Sequence, residues 1–184
     1  QNLLRLSQFR LKFEELFYIQ LQLILKNIIH KSKIKGYRFE TVGSYFNTFY
    51  QEHLPFELTN AQKRVLKEIR IDMGSNAQMN RLLQGDVGSG KTIVGLMSML
   101  IAIDNDFQAT LMAPTEILSF QHYNSLKPFC HKIGVKIGLL TGSTKTAARR
   151  TIHEELESGE LQIIIGTHAL LEDKVIFKNL GLAI

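Results

Sequence analysis

The sequence predicts an α/β fold, a parallel sheet with flanking helices preceded by one long helix, and three observations predict it. Short apolar runs alternate with helical patterns from about residue 79 onward. A glycine-rich loop, Gly85-Asp86-Val87-Gly88-Ser89-Gly90-Lys91-Thr92, stands between one such run and the helix pattern that follows it. The opening stretch, residues 3–33, contains neither Gly nor Pro.

That opening stretch reads as a single amphipathic helix. Leu6, Phe9, Phe13, Leu16, Phe17, Ile24, Ile28 and Ile29 recur mostly at three- and four-residue steps, the period that gathers side chains on one helix face. Lys31, Lys33 and Lys35 with Gly36 beyond them supply the expected C-terminal signal. A packing helix with no chemistry of its own is the plain reading. Residues 36–58 form a connector with a short helical piece around 44–52, ended by Pro55. The expected organisation is therefore a linker helix over 1–35, a connector over 36–58 and a main domain over 59–184.

The main domain opens with a helix over 59–73 and a polar turn, Gly74-Ser75-Asn76. The pattern then alternates: strand 79–84, helix 91–103, strand 109–113, helix 115–131, strand 135–140, helix 144–157, strand 161–165, and a last apolar run at 180–184. Strand–helix–strand succession implies right-handed crossovers and parallel pairing.

Residues 85–92 match G-x-x-x-x-G-K-[ST] at every fixed position, with a predicted strand before and a helix after. Glycines let the backbone wrap an anion with N–H groups turned inward. The helix N-terminus adds partial positive charge. Lys91 is placed to reach the β- and γ-phosphates of a nucleotide, and the Thr92 hydroxyl to ligate Mg²⁺. Upstream, Thr59 and Gln62 have the spacing of a capping box. The Gln62 amide could equally donate to and accept from an adenine edge, with Phe56 stacked on the ring, and both readings stand at this point.

Composition sets outer limits. Twenty-two basic against 17 acidic residues give a formal +5, a mild preference for a polyanionic partner. Cys130 is the only cysteine, so no internal disulfide forms and a reducing cytoplasm fits best. The six histidines show no metal-ligand spacing. The most apolar early segment, 16–29, is interrupted by Gln20, Gln22, Lys26 and Asn27, whereas a membrane span needs about 20 mostly apolar residues. The first residue is Gln1 rather than Met, which points to a segment of something longer.

Four stretches together carry a resemblance. Residues 54–62, the loop at 85–92, Leu111-Met112-Ala113-Pro114-Thr115-Glu116-Ile117-Leu118 with Gln121-His122, and Gly166-Thr167-His168-Ala169-Leu170 resemble the superfamily 2 DNA translocases. Within them the pattern is similar to the RecG family of bacterial helicases, and the spelling at 114–118 looks more like that family than like the transcription-repair coupling factors. The similarity is dense over 54–184. Leu11-Lys12-Phe13-Glu14-Glu15-Leu16 resembles the family's segment between its DNA-junction wedge domain and its motor. The resemblance implies a RecA-like P-loop NTPase sheet, ATP and Mg²⁺ as cofactors, and double-stranded and branched DNA as partner. It implies fork reversal and branch migration of Holliday junctions in repair and recombination. It also implies that Gln62 reads adenine beside Phe56, and that Pro114-Thr115, Thr141-Gly142 and Gly166-Thr167-His168 contact DNA.

A physical reading of those three segments runs the same way. Each follows a predicted strand, so each belongs at the carboxyl edge of the sheet, where open α/β folds bind ligands. Thr115 and Ser143-Thr144 are candidate caps for helices whose free N–H groups would hold phosphates. Plain caps and turns are the alternative. Glu116 suits a helix start but would repel a phosphate, and is expected to face away.

The family's second ATPase motif is an apolar strand followed by Asp-Glu-x-His, which carries the Mg²⁺ carboxylate and the water-activating Glu. The run at 180–184 reaches the last residue before any such pair. The second RecA-like domain, with its arginine finger, and the wedge domain also have no counterpart in these residues. An arginine finger alone is worth about 10³–10⁵ in rate, so the expectation is nucleotide binding without efficient hydrolysis. His153-Glu154-Glu155 and Asp104 are not substitutes, because they lie on or after helices, and both are expected to face solvent. Two other functions stay open: the translocase module of a coupling factor, and a P-loop module that binds nucleotide without moving DNA.

Overall fold

A computed structural model describes residues 2–184; Gln1, counted above in the linker helix, lies outside them. Helix α1 spans Asn2–Lys33, as its Gly- and Pro-free sequence predicts. Its apolar positions, among them Leu6, Phe9, Leu16 and Ile24, remain exposed. The chain then crosses the top of the main domain. Gly36 N donates to Asn76 O at 2.9 Å, and Phe39 N donates to Met73 O at 3.0 Å.

The predicted helical piece of the connector is real but compound. Helix α2, Ser44–Thr48, continues directly into a wider π-type turn, Phe49–His53. Its start is capped from a distance. The Asp104 carboxylate accepts from Gly43 N, Tyr45 N and Phe46 N at 2.9, 3.0 and 3.1 Å. The expectation that Asp104 faces solvent is thus corrected: it is half-buried because three orphan amides need an acceptor.

Helix α3, Asn60–Met73, begins with the predicted capping box and buries Leu66, Ile69 and Met73, a three- and four-residue stripe. It packs against α4, Lys91–Ile103, in which residues 93–103 are all buried. A helix apolar on every side can only be central, and α4 is.

Four strands form one parallel sheet in the order β2-β3-β1-β4: β1 Gln108–Met112, β2 Ile137–Leu140, β3 Ile163–Gly166 and β4 Leu180–Ala183. Helices α5, Glu116–Lys132, and α6, Thr146–Ser158, connect them. The registers align Met112 with Gly166 and Gly166 with Leu140, so three strands end side by side. Gly166 is needed at that edge, since a Cβ there would collide with Leu140 O.

Three expectations need correction. Residues 79–84 form no strand and pair with none of the described strands. They are held instead through Arg81, whose guanidinium bonds Asp72 at 2.7 Å and Glu68 at 2.7 Å on α3. A cleft of about 750 Å³, lined by Met79, Leu83, Val94, Leu180 and Leu182 among others, separates this segment from β4. Helix α6 starts two residues later than predicted, after Lys145, and no side chain caps it; Ser143 and Thr144 bond elsewhere. His153 and Glu155 are half-buried rather than solvent-facing, Glu155 pairing with Lys136 at 3.0 Å, while Glu154 is exposed beside Arg150 as expected.

Cys130 is fully buried in α5, and burial pushes its thiol up from 9.0 to about 12. A raised folded value means the neutral thiol stabilises the fold below pH about 9 and that this contribution fades as pH rises toward about 12. Urea midpoints measured from pH 8 to 11 should therefore fall more steeply for the wild type than for Cys130→Ala; parallel profiles would contradict the burial. Met97→Ala, in the middle of α4, should lose about 2–5 kcal/mol in the same assay.

Candidate functional site

The glycine-rich loop leads into α4 through two residues in the left-handed region, Gly88 at φ 81° and Gly90 at φ 79°. Side chains rarely adopt this conformation, at a cost of about 1–2 kcal/mol. Gly90 O accepts from Ile93 N and Val94 N, fastening the loop to the buried helix. Val87 is fully exposed at the tip. The Lys91 ammonium folds back over the loop and donates to Gly85 O and Asp86 O, both at 2.7 Å. Thr92 sits half-buried in the first turn of α4.

The sequence left Gln62 between a cap and a base reader, and the geometry shows that the cap does not keep it from the loop. Its Oε1 accepts from Thr59 N at 2.8 Å while its Nε2 donates to Ser89 O at 2.8 Å. A Cβ on Gly90 would lie 2.5 Å from that Nε2 and 3.3 Å from Phe56 Cζ. Phe56 and Gln62 therefore converge on the glycine-rich loop from a separate segment. Beside them lies a shallow depression of about 460 Å³, lined by Leu54, Pro55, Phe56 and Lys63 among others. Among the described residues no group of three His, Cys, Asp or Glu is placed to hold a metal.

The three segments singled out for DNA do lie together, at the carboxyl edge of the sheet. The loops after β1, β3 and β2 stand in that lateral order. Their side chains divide sharply. Pro114, Thr115, Gly142 and His168 are exposed, whereas Thr141, Gly166 and Thr167 are buried. Thr115 caps α5 by accepting from Leu118 N at 3.3 Å. Thr167 caps the short 3-10 turn His168–Leu171. Thr141 Oγ pairs with Ser143 Oγ at 3.0 Å, and Thr144 Oγ accepts from Thr141 N at 2.9 Å.

Two charged residues cross between these loops, and sequence reading missed the role of both. Glu116 does not face away: its two oxygens accept from Ser143 N and Ser143 Oγ, each at 2.9 Å. Those bonds, the Ser143 hydroxyl first, hold its carboxyl below the usual range. Arg149 on α6 donates to Thr141 O and to Glu172, each at 2.9 Å. Neither link has a sequence signal, because the partners stand 8 to 27 residues apart, outside any local capping or helical spacing.

The family model for the DEAD/DEAH box helicase matches residues 59–184. The chain is 45% identical to the ATP-dependent DNA helicase RecG of Synechocystis over 98% of its length, 48% identical to that of Streptococcus pneumoniae over 95%, and 44% identical to that of Bacillus subtilis over 98%. It spans only 22–26% of those relatives. A solved structure of RecG bound to a three-way DNA junction superposes on 93% of the chain and 23% of its own, with a TM-score of 0.81 and 43% identity. A hypothetical ATP-dependent RNA helicase from Sulfolobus tokodaii, 15% identical with a TM-score of 0.51 over 71% of the chain and 35% of its own, shares the fold alone.

The contact between Gln62 and the glycine-rich loop has a direct test. Gly90→Ala should cost about 1–2 kcal/mol in backbone strain alone and displace the Gln62 amide. Chemical denaturation and the Gln62 side-chain amide resonances would report the two effects; an unshifted Gln62 signal would contradict the contact.

Proposed function

From the premise that the chain belongs to the DEAD/DEAH box helicase family, we propose that it is the nucleotide-binding part of a RecG-type, ATP-dependent DNA helicase, with a linker helix over 1–35, a connector over 36–58 and a first RecA-like motor domain over 59–184. The observation that carries this reading is the convergence of Phe56 and Gln62 on Gly90. A phosphate loop alone serves many chemistries, but a stacking ring and an amide joined to its far end suit a purine nucleotide.

On this reading the β- and γ-phosphates take the ammonium of Lys91 away from the carbonyls of Gly85 and Asp86. The N–H groups around Gly88, Ser89 and Gly90 wrap the phosphate tail, as the two left-handed glycines allow. The α4 N-terminus favours the same negative charge. The donor set fits a triphosphate carrying Mg²⁺, an ion that neutralises phosphate charge and to which Thr92 would add its hydroxyl. Gln62 gives up Ser89 O to pair with the adenine edge, and Phe56 packs on the ring over the adjoining depression. Base recognition thereby pulls directly on the loop that holds the phosphates.

The partner is duplex DNA, branched in the manner of the junction bound by the RecG relative, and the setting is the bacterial cytoplasm. Pro114, Thr115, Gly142 and His168 supply the contacts, mainly to backbone phosphates. Thr141, Gly166 and Thr167 shape that face from beneath. Remodelling of forks and Holliday junctions is the task such a motor would perform. The relatives' common name favours this over a coupling-factor translocase, and a non-motor module leaves the shared edge of the three loops without a purpose.

Lys91→Ala should abolish binding of a non-hydrolysable ATP analogue in calorimetry while circular dichroism stays unchanged; undiminished affinity would remove the loop from the mechanism. The 184 residues contain no Asp-Glu pair, so the purified chain should bind ATP yet hydrolyse it far below about 1 s⁻¹, the lower end of typical kinase turnover. A DNA-stimulated turnover at that rate would refute this.

A further inference from the structure

Glu116 lies in the first turn of α5, directly after the β1 loop, while Ser143 follows β2, and β3 runs between those two strands. The side chain therefore reaches across the edge of the sheet to the far loop. Its two oxygens take two donors from a single residue, the Ser143 amide and the Ser143 hydroxyl, each at 2.9 Å. The place where a Cβ of Gly142 would stand is 3.2 Å from Glu116 Oε1. The Ser143 hydroxyl and amide, then the Thr141 hydroxyl and the Gly142 amide, all favour the ionised carboxylate. Two oxygens of one anion bound by an amide and a hydroxyl of an exposed turn is also the pattern by which proteins grip a nucleic-acid phosphate. The same donors cannot serve both anions.

Resting on the reading that these loops face DNA, we infer that Glu116 is an internal stand-in for a backbone phosphate: it holds the Gly142-Ser143 turn in the free protein and must release it when DNA binds there. The turn is thus kept in a phosphate-ready shape at the cost of a competing charge. Arg149 holds the same turn by a separate bond, donating to Thr141 O at 2.9 Å. Release of Glu116 frees α5 from the loop after β2, so DNA contact at one loop is transmitted to the start of α5, which Pro114 and the cap Thr115 lead into.

The test uses the purified chain, a short fluorescent DNA duplex and the Glu116→Gln variant. Glutamine keeps an acceptor for the turn but removes the charge. It should bind the duplex about 5-fold more tightly at low salt, the factor one like charge a few ångström away is worth in water, and the difference should shrink as salt rises. Independently of DNA, hydrogen exchange of the Ser143 amide should accelerate in Glu116→Ala. Unchanged exchange would show that the carboxylate does not hold the turn and would overturn the inference by itself. Duplex binding that is equal or weaker in Glu116→Gln would also overturn it, while leaving DNA binding by this face intact. If no variant and no wild-type protein binds the duplex, the DNA reading fails and the inference falls with it, even where the exchange result confirms the clasp.

Discussion

The burial of α4 along its whole length is the constraint on which the rest depends. Residues 93–103 are enclosed by α3, α2 and the sheet, so the helix has no polar face along which to turn or slide. Its first residue is therefore fixed in space. Gly90 leaves the helix in a conformation that few other residues tolerate, and Lys91 stands at the first helical position. An apolar core with no chemistry of its own thus decides where a flexible cation and a glycine-rich loop are presented.

Both candidate faces are built from polar groups already satisfied within the protein. Lys91 bonds carbonyls of its own loop, Gln62 bonds Thr59 and Ser89, Glu116 bonds Ser143, and Arg149 bonds Thr141 and Glu172. A ligand arriving at either face exchanges one set of hydrogen bonds for another. The net gain per bond is then small, on the order of 1 kcal/mol, and much of the interaction energy goes into rearrangement. On the function proposed above, that suits a cycle in which nucleotide and DNA must be released as well as bound.

Much of this was legible in the sequence, and the reasons are local. The glycine-rich loop, the apolar helix after it and the long first helix are declared by neighbours within a few residues, through glycine spacing and a repeat near 3.6. The three segments at the carboxyl edge followed from strand–helix alternation. What escaped is non-local. Residues 79–84 have strand character, but pairing needs a partner edge, and Arg81 ties them to α3 instead. Asp104 caps a helix some sixty positions away in the chain, at separations of 58 to 61 residues. The charge of Glu116 is visible in the sequence, but the Ser143 turn that it reaches is not. Thr141 and Thr167 carry the right chemistry for a contact but point inward, which no pattern of single residues declares.

The lone thiol has a practical corollary. Cys130 lies within the packed face of α5 and stays protonated far into the alkaline range, so maleimide chemistry near neutral pH has no native sulfur to attack. Cysteines introduced at the surface would be labelled without first removing it. A dye pair placed at Val87, on the tip of the glycine-rich loop, and at an exposed position of α6 could follow distance changes in single molecules on the unaltered background of this chain.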